Sequence, residues 1–250
     1  HVPVVDLRST RYDLQGEWRK PLPGVAALRL RAGLTDYVHD EIDDGAVATT
    51  FRNRAHDWRL ELAHEPLAGW QGTLGVSASQ RRFSAVGEEA YVSPSTTRKL
   101  GVFWLEEQRF GDWGVQASLR HDRQRIALQA DGEGELAGDT RRHHSSSAAV
   151  GVDWRGLPGW RLSSTLSSVS RMPPAEELYA RGMHRATNSY ELGNPRLKAE
   201  RGQTIELGAA KTEGATQLAL KLYHRRMHNF IHTQTLDEQG GTQLLAYTQS

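Results

Sequence analysis

The chain has 250 residues, 31 Lys and Arg against 30 Asp and Glu, a formal net charge of +1 and no cysteine. Lack of Cys removes disulfide scaffolds, thiolate metal sites and cysteine nucleophiles together, and interspersed charges offer no basic stripe for a nucleic-acid backbone. No stretch approaches the ~20 consecutive apolar residues of a membrane helix, and the first six residues lack the basic start and apolar run of a signal peptide, so any export signal is expected to have been removed or to lie upstream.

A strand sends successive side chains to opposite faces and so writes a period of two into the sequence. In chain order, Leu28, Leu30, Ala32 and Leu34 alternate with Arg29, Arg31 and Gly33, and Trp58, Leu60 and Leu62 alternate with Arg59, Glu61 and Ala63. Leu74, Val76 and Ala78 follow, then Val115, Ala117 and Leu119, then Val150, Val152 and Trp154, then Trp160, Leu162 and Ser164, and finally Leu218, Leu220 and Leu222. Short turns are expected at Pro21 to Gly24, Pro66 to Gly69, Gly111-Asp112, Leu157 to Gly159 and Glu213 to Ala215. Between them fall longer polar connections, around His39 to Ala48, Gly87 to Ser95, Ala130 to His144, Met172 to Glu200 and Leu236 to Gly241.

Alternation alone fits both a soluble sandwich, with its apolar face against a second sheet, and a membrane barrel, with that face against lipid. Strict alternation of short turns with long connections favours the barrel, and Trp18, Trp70, Trp113 and Trp160 beside the short turns suit an interfacial aromatic girdle. The expected fold is all-β: an antiparallel transmembrane β-barrel over residues 1–250. About eleven strands are expected, an odd number where single-chain bacterial barrels use an even one, so the chain reads as a fragment of a larger barrel. Such a fragment has two unpaired edges and should not span a bilayer alone.

Ser170-Arg171-Met172-Pro173-Pro174-Ala175-Glu176-Glu177-Leu178-Tyr179, then Gly193-Asn194-Pro195-Arg196-Leu197-Lys198-Ala199-Glu200, then Gln203 to Gly208, resembles the TonB-dependent receptor barrel in order and spacing. Pro173 and Pro174 end a strand, and Asn194-Pro195 starts a turn back. Leu222-Tyr223 and Asn229-Phe230-Ile231 look like the next strand of that family. Arg11 to Trp18, Thr35 to Tyr37 with Glu41 to Gly45, Gly87 to Ala90 and Tyr179 to Asn188 are similar to the ZnuD-type zinc receptors and their relatives. The resemblance implies an outer-membrane location, a plugged barrel of about 22 strands in all with its plug domain and C-terminal strands outside the chain, TonB as partner and a monomeric barrel. It also suggests that His1 ends a His- and Asp-rich loop.

The resemblance makes zinc the first transported ligand, with haem or a ferric siderophore as alternatives and no prosthetic group. Zinc without Cys takes imidazole and carboxylate. His39, Glu41, Asp43 and Asp44, beside Asp40, form the densest local set, which composition alone reads as a solvated acidic loop rather than a zinc site. His184 with Glu41 is the expected barrel-side pair. Haem would call for an axial His or Tyr, such as His184 or Tyr190. His143 and His144 could share an ion only in a loop. His224, His228 and His232 share a strand face at spacings too long for one ion. His56, His64 and His121 receive no role. No phosphate loop, G-x-S-x-G elbow or H-E-x-x-H pair occurs, so no enzyme is expected. A ligand-free structural or secretion barrel is the competing class.

Overall fold

The computed structural model describes residues 4–88, 90–129, 137–184 and 188–250. His1 and the first part of the Ala130 to His144 connection, residues 130–136, lie outside them. Ten antiparallel strands form one sheet in the order β1 (Val4–Arg19), β2 (Val25–Asp43), β3 (Ala46–His64), β4 (Gln71–Gly87), β5 (Ser95–Phe110), β6 (Trp113–Leu128), β7 (Thr140–Trp154), β8 (Trp160–Arg171), β11 (Glu200–Lys211) and β12 (Leu218–His228). Between β8 and β11 the chain makes a short helix α1 (Ala175–Tyr179) and strands β9 (Arg181–His184) and β10 (Ser189–Leu192). These two strands join β13 (Ile231–Gln239) and β14 (Thr242–Gln249) in a separate four-stranded sheet. The large sheet is open, with β1 and β12 as its edges.

Register shows why alternation survives as a single face. One row of partners runs Trp18, Leu28, Leu62, Leu74, Trp104, Leu119 and Ala148 across seven successive strands. Farther on, Val150 faces Leu166, which faces Ile205, and Leu207 faces Leu222. Leu74 is 57% and Leu119 53% exposed, so this apolar face packs on nothing within the chain. A sandwich would have covered it. No helix among the described residues is long and apolar enough to cross a membrane.

The opposite face is polar and carries its charges in pairs. Arg59 meets Glu61, Arg120 meets Asp122 and Arg109 meets Asp153. Gly75 lies beneath the Phe103 ring, which would overlap any added Cβ, and the Arg59 guanidinium stands 4.3 Å from the ring centre.

The two ends of the sheet differ. At one end the turns are short: Ala68 and Gly69 take left-handed φ of 50° and 86°, and Gly159 takes 71°. Trp113 pairs with Trp154 at 6.1 Å, and Trp70 meets Phe110 edge-on, so the expected girdle is present at this end. At the other end the β8–β11 connection folds back over the polar face. There Ile126 and Leu128 of β6 pack with Ala175, Leu178, Tyr179, Leu197 and Ile231 in the main buried cluster.

Several expectations shift. His39 to Ala48 is not a long loop: β2 and β3 continue to a two-residue turn, with Asp44 at φ 51° and Gly45 at 79°, both left-handed as a tight hairpin turn requires. Leu236 to Gly241 likewise holds strand and a Gly240-Gly241 turn rather than a loop. Asn229, at φ 52°, separates β12 from β13, so Asn229 to Ile231 does not continue one strand. The count is ten strands in the main sheet with four in the small one, where about eleven were expected, because β9, β10, β13 and β14 leave the main ladder.

Candidate functional site

The segment that carries the family motif builds a latch. Pro173 is fully buried, and its carbonyl accepts a hydrogen bond from Gln124 of β6 at 2.7 Å. The prolines place α1 on the polar face, where Glu176 meets Arg81 at 2.9 Å. Gly193 lies against the backbone of α1, and a Cβ there would stand 2.5 Å from the Tyr179 nitrogen. Asn194 donates its backbone N–H to the Glu177 carbonyl at 2.8 Å and accepts from the Arg196 N–H at 3.0 Å.

Glu200 is buried and closes the latch. One of its oxygens pairs with Arg171 of β8, and the other accepts the Ile231 N–H of β13 at 2.6 Å. Arg171 also reaches Glu177 at 2.9 Å. Burial pushes the Glu177 carboxyl above its ordinary range, against the pull of Arg171. Tyr179 donates to Asp139 at 3.1 Å, and burial first, then that carboxylate, raises its hydroxyl pKa strongly. The motif residues therefore hold the connection together.

What the latch supports is a hairpin bearing His184. Its Nδ1 lies 2.9 Å from Glu191 Oε1 on the facing strand. The His184 ring stacks on Tyr91 at 4.8 Å and 11°. Glu191, itself buried, also accepts from the Tyr247 hydroxyl at 3.0 Å. Burial raises the Tyr91 and Tyr247 hydroxyls, and the Glu191 charge adds to the effect in both. A carboxylate behind an imidazole is the arrangement that fixes ring orientation and increases basicity at a metal ligand.

A second histidine–carboxylate pair lies on the polar face of β2, where residues 39, 41 and 43 alternate with the outward 38, 40 and 42. His39 Nε2 is 3.7 Å from Glu41 Oε1, and its ring stacks on Phe51 at 4.4 Å. His39 Nδ1 and Glu41 Oε2 are buried without a hydrogen-bond partner among the described residues. Asp43 ends β2 and Asp44 sits in the turn, while Asp40 accepts from Thr50 at 2.6 Å on the other face. Glu41 is thus paired with His39, and His184 with Glu191. Among the described residues no three His, Asp or Glu gather into a complete metal set.

The other histidines separate. His143 and His144 lie on β7 and face opposite ways: His143 contacts the Leu197 carbonyl at 3.0 Å, and His144 stacks with His121 at 6.4 Å on the apolar side. His232 lies beyond the break after β12 and does not continue the row of His224 and His228. Sequence reasoning missed Glu191, Tyr91 and Tyr247, since only the β9–β10 pairing and the Tyr91 stack join them to His184.

Residues 4–249 match the family described as TonB dependent receptor-like, beta-barrel. The chain belongs to the TonB-dependent receptor β-barrel family. A 125-residue part of this receptor barrel, 47% of the chain, is 27% identical to hemoglobin-haptoglobin utilization protein B of Neisseria meningitidis serogroup C and spans 15% of that protein. Among solved structures, the copper transporter OprC superposes with TM-score 0.78 at 14% identity, over 97% of the chain and 41% of OprC. The Serratia marcescens hemophore receptor HasR, solved with HasA and heme, gives 0.75 at 13% over 99% of the chain and 44% of HasR. FrpB, an iron transporter of Neisseria meningitidis, gives 0.73 at 14% over 98% of the chain and 40% of FrpB. The chain thus spans less than half of each of these proteins. Members of this family are outer-membrane transport receptors, so the apolar face of the receptor barrel is its lipid face and the polar face lines the lumen.

Proposed function

We propose that this chain is the barrel portion of an outer-membrane receptor that imports a scarce metal under TonB control, with zinc as cargo. The observation that carries the proposal is the presence of two histidine–carboxylate pairs on the lumen side, His184–Glu191 and His39–Glu41. Each supplies one imidazole and one carboxylate, and zinc binds a tetrahedral set of such groups. The orphaned His39 Nδ1 and Glu41 Oε2 are buried polar atoms of a kind a cation satisfies. Neither pair is a complete site, so a plug domain outside this chain completes the coordination.

Haem is the second reading. It needs one axial ligand from the barrel, which His184, oriented by Glu191, supplies. The partial similarity to a hemoglobin-haptoglobin utilization protein favours it. Calorimetry of the full-length receptor in detergent separates the two. The expected result is a single zinc event, weakened at least tenfold by His184→Ala and by Glu41→Ala, with loss of one ligand costing on the order of tenfold. Haem binding that His184→Ala abolishes and Glu41→Ala leaves intact, with no zinc event, would replace zinc by haem.

A further inference from the structure

The lipid face does not stay apolar down to its short turns. His64 follows Leu62 on that face of β3, and Glu106 and Gln108 follow Trp104 on that face of β5. Ionisable side chains turned towards lipid are rare and costly. These gather into one cluster. His64 Nε2 lies 2.8 Å from Glu106 Oε1, reaching over β4 at Gly72, the register partner of Glu106. A Cβ at Gly72 would stand 2.3 Å from that oxygen, and one at Gly69 would stand 2.5 Å from Gln108 Nε2. Two glycines therefore let the polar side chains lie flat on the sheet.

The cluster is short of donors. Glu106 Oε1 faces His64 and also accepts from Trp104 Nε1 at 3.1 Å. His64 Nδ1 lies 2.7 Å from the Glu65 carbonyl, and Gln108 Nε2 donates to the Ala68 carbonyl at 3.1 Å. Glu106 Oε2 and Gln108 Oε1 are buried without a hydrogen-bond partner among the described residues. Whichever of His64 and Glu106 holds the proton between them, Glu106 Oε2 remains an acceptor. Buried acceptors are ordinarily satisfied, and hydrocarbon has no water to satisfy them. The frame sets the depth: Trp104 stands on the bilayer side of Glu106, and Trp70 meets Phe110 edge-on at 6.2 Å on the turn side. The cluster is thus level with the aromatic girdle, where headgroups meet acyl chains.

We propose that this niche binds the headgroup of a phospholipid that ends in a primary ammonium, in the periplasmic leaflet that the short turns of such barrels face. The ammonium brings three N–H donors to Glu106 Oε2 and Gln108 Oε1, and its charge suits a carboxylate and the face of a Trp ring. The Glu106 side chain is 13% and His64 26% exposed, so the niche opens to the lipid, and the soft terminal torsion of the carboxylate turns an oxygen to that opening. Leu62 and Leu74 continue the surface for the acyl chains. A quaternary ammonium has no N–H and leaves both oxygens unpaired, while an anionic headgroup brings negative charge to a carboxylate. The site therefore separates lipids that share the same acyl chains. The proposal rests on the membrane placement and is independent of the cargo.

The test uses full-length receptor in detergent and native mass spectrometry, with dioleoyl phosphatidylethanolamine, phosphatidylcholine and phosphatidylglycerol as probes at equal concentration. Wild type should retain the ethanolamine lipid at least about tenfold over the other two, the worth of one hydrogen bond to a charged group. E106Q/Q108L should lose that preference. E107Q, which removes the same charge from the lumen face of the same strand, should keep it. Equal retention of the three lipids by wild type would overturn the proposal without any variant having to fold, and so would a preference that survives in E106Q/Q108L. Displacement by millimolar ethanolamine would reassign the niche to a free amine and equally overturn the lipid as occupant.

Discussion

The two ends of this barrel segment are stabilised in different ways. At the short-turn end, the apolar side chains that leave the lipid face find no partner among the described residues beyond their strand neighbours, and the aromatic residues meet there in an edge-to-face pair and a tilted pair. At the long-connection end, a helix, two sheets and a buried cluster give a packing that resembles a soluble interior. Membrane strands draw their stability from closed backbone ladders and the surrounding lipid, so large side chains are free to stay exposed. The connections outside the lipid have water as solvent and must build their own core.

The largest expected effect breaks that contrast directly. Leu178→Ala removes a fully buried side chain from the cluster and should cost about 3 kcal/mol in local stability, within the usual span for such truncations. Leu162→Ala, on the exposed lipid face, should change it by less than about 0.5 kcal/mol. Hydrogen exchange of the α1 and β13 amides in detergent measures both. Equal protection loss in the two variants would remove the distinction between the ends.

A smaller effect concerns pH. Tyr179 and Tyr247 have hydroxyls raised above the ordinary tyrosine value of about 10. A folded-state pKa raised above the unfolded one contributes stability that is fully present below the unfolded value and lost as pH rises beyond it. The long-connection end should therefore loosen above about pH 10 while the ladders persist. Tyr179→Phe should flatten that loss. Tyrosinate absorbance followed alongside circular dichroism is the check, and ionisation of both tyrosines at the ordinary value with no loss of structure would contradict it. The smallest effect is at the other end: Trp113→Leu forfeits only the contact with Trp154, about 1 kcal/mol or less in thermal unfolding. A larger drop would mean that the girdle is a packed core after all.

The same contrast explains what could be read in the sequence. Inside the bilayer the two faces meet opposite solvents, so Leu28 through Leu222 alternate visibly and the sheet was legible with its polarity. Above it both faces meet water. There Asp40 stands between Val38 and Ile42 on the outward face while His39, Glu41 and Asp43 hold the other, so acid on both faces breaks the period and the top of the β2–β3 hairpin reads as a loop. The helix left a trace that went unused: a proline followed by Ala175-Glu176-Glu177, with acid in the first turn. The candidate histidine was visible, but its carboxylate was not. His184 and Glu191 meet only because β9 and β10 pair, and the spacing of seven residues carries no period that announces it.

The latch has one further consequence. Gly193 donates its N–H to the Ala180 carbonyl at 2.6 Å, so the β9–β10 hairpin hangs from a closed base whose two posts, Ala180 and Asn194, are tied to Glu176 and Glu177 of α1. The residues that make the chain recognisable are the posts, and His184 and Glu191 are hung between them. On the proposed reading, in which these two residues meet the cargo, exchange of the stretch between Ala180 and Gly193 would change the cargo while the signature stays untouched.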